Sequence, residues 1–136
     1  MDKIEFLILK NLLHTEDYWR KVIPFLKSEY FEDTNQKIVY EEIESFVTQY
    51  NDTPTKEILS IEVEKRTDIS DIGFKEISKL ISYLDSEPVD FDWLMDTTEK
   101  WCRDRAIYLA LVQSISIADG KHEKHSPDAI PSILSE

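Results

Sequence analysis

The 136-residue sequence contains only two glycines, Gly73 and Gly120, and one cysteine, Cys102. Each scarcity excludes something. Tight hairpin turns lean on glycine, so a protein built of many short strands is disfavoured. Glycines 47 positions apart exclude the dinucleotide-binding fingerprint. A P-loop needs glycines through which backbone N–H groups approach phosphates, then Lys and Ser or Thr. Here Gly120-Lys121 is followed by His122, and Ile115 stands where the first glycine belongs. ATP hydrolysis is therefore not expected of this chain. One cysteine cannot form an internal disulfide, and no charged n-region, apolar h-region and cleavage site opens the sequence. A reducing cytosol is the expected compartment. No apolar run approaches the roughly 20 residues of a membrane span, so no membrane association is expected.

Other chemistry is missing as well. His122 and His125 have a spacing that can ligate zinc, but no Cys pair or further His completes four ligands. A solvated turn is the reading adopted. No Glu stands three residues before a His, which removes the carboxylate-bridged di-iron bundles. His14 falls at a helix end, where a cation favours the dipole. Cys102 has no histidine neighbour in sequence and reads as a small buried side chain rather than a nucleophile. Lys100, Arg103 and Arg105 could contact DNA or a partner's carboxylate; the expectation preferred is local pairing, such as Glu99 with Arg103 at i, i+4 spacing. No catalytic, cofactor-binding or metal-binding residue is assigned.

What is present is acidity and core material. Sixteen Lys and Arg against 28 Asp and Glu give a net charge of −12. Such a field repels polyanions and favours basic partners, and the chain lacks the cationic surplus of direct nucleic-acid binding. Acidity that provides only solubility is the plainer alternative. A hydrophobic content of 41%, with three Trp, six Tyr and six Phe, suffices for one folded domain.

Helical periodicity dominates. Ile4, Leu7, Ile8 and Leu12 share one face of a first helix from about Asp2 to His14. Thr15 offers a capping oxygen to a short second helix that Pro24 ends. Val39, Ile43, Phe46, Val47 and Tyr50 mark a third helix between Asp33 and Asn51. Residues 59–64 alternate like a strand, but no other stretch alternates to pair with them, so this segment is assigned as helix. Phe74, Ile77, Leu80, Ile81 and Leu84 mark a fifth helix, with cap candidates from Asp68 to Asp71.

From the probable cap Asp90 to Ala118 no Gly or Pro interrupts the chain, which predicts one helix on the order of 40 Å long. Its first half is mixed; the segment from Ala106 to Val112 is apolar all round, and such a helix must be covered on every side. Trp93 and Trp101 are assigned to the core. After a polar turn, Ala129 to Leu134 begins an apolar helical pattern too short to stand alone. The fold expected is all-α: a bundle over residues 1–88, then residues 90–136 as a long helix and the start of a helical hairpin, packed with the bundle as one domain. The pattern reads as truncated inside that hairpin, leaving an apolar face for another copy or a partner. The alternative is that the apolar segment is the central core helix of a monomer.

Several blocks along the chain resemble the N-terminal region of T-even-type phage replicative helicases of the DnaB-like family. They are Glu29-Tyr30-Phe31-Glu32, Leu80 through Asp92-Trp93-Leu94, Thr98-Glu99-Lys100-Trp101 with Arg105-Ala106, and Ala129-Ile130-Pro131. None is diagnostic by itself, and the family's Walker A motif belongs to a RecA-like domain that this sequence does not contain. The resemblance implies a non-catalytic assembly domain whose hairpins pack between subunits as a collar on a hexameric ring and dock primase. It implies that ATP, Mg and single-stranded DNA belong to the parent ring, in the cytoplasm of an infected bacterium. Self-association would then fall on Ile107, Leu109, Leu111, Val112, Ile115 and Ile117, and on Ile130, Ile133 and Leu134. The competing function is a free-standing acidic adaptor or inhibitor of a basic partner.

Overall fold

The computed structural model describes residues 3–118. Six α-helices and one 3-10 turn follow in order: α1 Lys3–His14, α2 Glu16–Val22, the turn Ser28–Tyr30, α3 Thr34–Tyr50, α4 Lys56–Glu64, α5 Asp71–Ser82 and α6 Phe91–Ala118. The described residues contain no strand, and the alternating segment 59–64 is helical within α4. The chain divides into two compact units, Met1–Thr98 and Glu99–Glu136. The boundary falls inside α6 rather than before Asp90. Leu94 and Thr98 explain why: both are buried, and the Thr98 hydroxyl shares a 2.7 Å hydrogen bond with the buried Tyr18 hydroxyl in the first unit.

Within the first unit α1 packs on α2 and α3, while α3 carries α4 and α5. Every residue from Ile8 to Leu13 is buried, so α1 is enclosed on more than the one face its spacing predicts. Ile4, expected on that face, is 36% exposed, and Leu9 and Leu13 are buried instead. In α3 the buried positions are Val39, Ile43 and Val47, whereas Tyr50 is exposed and tilts against Phe46 at 4.6 Å between ring centroids. In the fifth helix Ile77, Leu80, Ile81 and the following Leu84 are buried as their spacing predicts.

Side-chain caps start α3, α4 and α5, as Asp90 does α6, at the N–H groups that a first turn leaves orphaned. Asp33 accepts from Gln36 N, Thr55 from Ile58 N and Ser70 from Gly73 N. Thr15 departs from expectation. Its hydroxyl donates to Asn11 Oδ1 at 2.9 Å and makes no cap bond to α2. The reason is local: Thr15 N still bonds Asn11 O, so Thr15 closes α1 while α2 begins beside it. Asn51 ends α3 at φ 55°, a left-handed conformation that Asn tolerates.

Ion pairs bind the loops to this scaffold. Arg66, between α4 and α5, reaches Glu42 at 2.7 Å, Asp68 at 2.9 Å and Glu41 at 3.1 Å. The hydrogen bonds, Asp68 foremost, hold the guanidinium above its ordinary pKa, and Arg66 in turn holds the Asp68 carboxyl below the usual carboxylate range. The connector from α5 to α6 is clasped by three cations or donors. Lys10 meets Glu87 at 2.8 Å, Lys56 meets Asp85 and the Ser82 carbonyl, and His14 Nε2 lies 2.7 Å from the Leu84 carbonyl. The Lys56 ammonium holds the Asp85 carboxyl below its ordinary pKa.

Candidate assembly surface

Asp90 starts α6 by accepting from Trp93 N at 2.8 Å, and the helix then runs 28 residues, about 42 Å at 1.5 Å per residue. Burial along it changes in character. Leu94, Thr98, Trp101 and Cys102 are buried at spacings of three or four, one side of a helix. Trp101 is thus buried, as expected; Trp93, also expected to be, is 52% exposed. Desolvation pushes the Cys102 thiol up to about 12, with the Glu99 charge adding to it. A thiol so protonated is a poor nucleophile, as its lack of a base partner suggests.

Beyond Ala106 the helix carries apolar residues on two sides that fare differently. Ile117 and Ser114 are buried, and Ser114 returns its hydroxyl to the Ala110 carbonyl at 2.9 Å. Ile107, Tyr108, Leu111, Val112 and Ile115 are between 43% and 60% exposed. Their offsets of 0, 1, 4, 5 and 8 define one stripe along the helix. Arg105 lies 5.1 Å from the Tyr108 ring, placing a cation at the edge of the stripe.

Of the residues expected to mediate self-association, Ile107, Leu111, Val112 and Ile115 therefore come together on an exposed face, and Leu109 is half-buried between faces. Ile117 is 2% exposed and belongs to the opposite side. Ile130, Ile133 and Leu134 lie outside the described residues, as do His122 and His125. Tyr108 was missed by a search for aliphatics, although its position one residue after Ile107 places it on the same stripe. The Glu99–Arg103 pair expected from i, i+4 spacing does not form; Arg103 is exposed.

The described residues contain no cluster of three or more His, Cys, Asp or Glu able to hold a metal, and no helix long and apolar enough to cross a membrane. Among the surface hollows of the first unit, two lie against α5. One of about 360 Å³ lies between the start of α3 and α5, and one of about 500 Å³ between α4 and α5.

The chain is similar to a phage replication protein, the DnaB-like replicative helicase of Enterobacteria phage T4, with 32% identity over 138 aligned residues. The match takes in 96% of this chain but only 29% of that relative's length. No family model matches the chain. The likeness runs along nearly the whole chain, which spans less than a third of that relative's length.

Proposed function

We propose that this chain is the N-terminal assembly region of a phage replicative DNA helicase of the DnaB-like kind, and that its task is subunit association rather than catalysis. The observation that carries the reading is the exposed stripe Ile107, Tyr108, Leu111, Val112 and Ile115 on a chain that resembles such a helicase from end to end. Complete burial of one such side chain is worth roughly 1.5–3 kcal/mol, so five that are about half exposed supply on the order of 5 kcal/mol. That sum is comparable to the lost translational and rotational freedom of association. The stripe alone therefore supports weak pairing, and a ring would add the strength of repeated contacts.

In the parent enzyme, ATP and Mg would be bound by a motor domain outside this chain, and single-stranded DNA would be engaged by the ring. The acidic charge of −12 fits this division, since it disfavours direct contact between this region and a polyanion. The resulting collar, a dimer or a hexamer in form, would also offer primase its docking surface, in the cytoplasm of the infected host.

Sedimentation velocity over a concentration series tests the assembly role. The wild-type chain should associate reversibly, while Leu111→Glu, which places a charge at the centre of the stripe, should remain monomeric with an unchanged melting temperature. Monomers of both at every accessible concentration would refute it. Primase docking is tested by pull-down with the cognate primase; failure of both this chain and the full ring to bind would remove that role.

A further inference from the structure

The hollow of about 360 Å³ between the start of α3 and α5 has Gln36 in its wall. This residue is buried, and its amide nitrogen and oxygen both lack a hydrogen-bond partner. A local partner was within reach. Gln36 stands three residues after the N-cap Asp33, the position from which a glutamine ordinarily reaches back to the backbone N–H of the cap. Asp33 makes its half of that exchange, accepting from Gln36 N at 2.9 Å, and the Gln36 amide does not return it. A buried amide with neither bond made is costly, and a molecule in the hollow that offers an acceptor to Nε2 and a donor to Oε1 recovers that cost. No hydrogen bond holds the amide in place, so turning it toward such a molecule breaks none.

The rest of the wall narrows the chemistry. Glu76, Leu80 and Tyr83 follow at i, i+4 and i+7 along α5 and its C-cap, which puts them on one face. Leu80 is buried, and Tyr83 presents a half-exposed ring on which a flat heterocycle stacks. Asp33 and Glu76 bring carboxylates to the same wall, each with one oxygen engaged, by Gln36 N and by the Asn35 amide at 3.1 Å. A carboxylate keeps further lone pairs for hydroxyl donors. Lys79 adds one positive charge against these two negative ones, on a chain of net charge −12, so the hollow disfavours a phosphate. We infer that it binds a nucleoside: the base lies on Tyr83 and pairs its donor and acceptor edge with the Gln36 amide, and the sugar hydroxyls meet Asp33 and Glu76. Adenine suits a glutamine amide in this way, through its amine and a ring nitrogen. The volume stands at the small end of the range for ligand sites, in keeping with a ligand of this size. All these residues belong to the first unit and none to the α6 stripe, so the inference stands or falls apart from subunit association.

Backbone amide NMR spectra of the chain titrated with adenosine test the site. Saturable shifts should appear at residues 33–36 and 76–83 and leave the other helices unmoved. Gln36→Met, which removes both hydrogen-bonding atoms and keeps the buried shape, should weaken binding by about tenfold or more. Tyr83→Ala, at an exposed position, should weaken it through lost stacking, and melting curves no lower than that of the wild type identify both variants as folded. Adenosine monophosphate should bind less tightly than adenosine. N-acetylglycine methylamide, which offers the amide a donor and an acceptor but no ring, should bind less tightly too. Absence of saturable shifts at these residues, or a Gln36→Met variant that binds adenosine as the wild type does, overturns the site. Tighter binding of the monophosphate overturns the choice of an uncharged nucleoside, and tighter binding of the methylamide assigns the hollow to a peptide instead.

Discussion

Two stretches of this protein are rich in apolar residues, Ile8 to Leu13 in α1 and Ile107 to Ile115 in α6, and they differ in exposure. α1 is closed in from Ile8 to Leu13, with Leu9 and Leu12 wholly inaccessible, because α2 and α3 pack against it. In α6 the stretch from Ile107 to Ile115 covers one side and leaves the other bare. Composition does not distinguish them; supply of neighbours does. A contiguous exposed apolar stripe is what the proposed association would use.

The contrast yields its largest effect under truncation of leucine. Leu12→Ala should destabilise the fold by about 2–5 kcal/mol, through lost transfer energy and the cavity left behind. Leu111→Ala should change monomer stability by less than about 0.5 kcal/mol, as surface substitutions do, and weaken association instead. Urea unfolding at low protein concentration measures both. Comparable losses of stability would mean that the α6 stripe is enclosed in solution.

A smaller effect sharpens the comparison from the other direction. The enclosed unit holds a polar group where α6 exposes apolar ones: Gln36 is 1% exposed, and neither its amide nitrogen nor its amide oxygen has a hydrogen-bond partner. A buried unsatisfied amide costs roughly 1–3 kcal/mol, and an apolar residue of similar shape removes that cost. Gln36→Met should therefore raise the melting temperature, with a gain of about 1 kcal/mol. A lowered melting temperature would show that the amide is satisfied in solution.

Much of this architecture was legible in the residues. The order and type of the helices followed from periodicity, and Asp90 and Ala118 bracketed α6 because nothing between them breaks a helix. The strand-like alternation at 59–64 was resolved by asking what could pair with it. Less legible were features that depend on neighbours. Spacing alone placed Ile4 inside and did not show that Leu9 and Leu13 would be enclosed too. Trp93 and Trp101, chemically alike, fall on different sides of α6. The Arg66 cluster joins residues 24 and 25 positions apart, beyond any helical register. For the proposed association surface, apolar character singled out a stretch of α6, and the structure divides it into buried Ile117 and exposed Ile107, Leu111, Val112 and Ile115.

The central claim is that the α6 stripe is covered by another copy of the chain and α1 by its own fold. Methyl NMR on a dilution series addresses both at once, in a protein of 16.0 kDa. The signals of Ile107, Leu111, Val112 and Ile115 should shift or broaden with rising concentration, while those of Ile8, Leu9, Leu12 and Leu13 stay fixed. Stripe signals that never move with concentration would contradict the account.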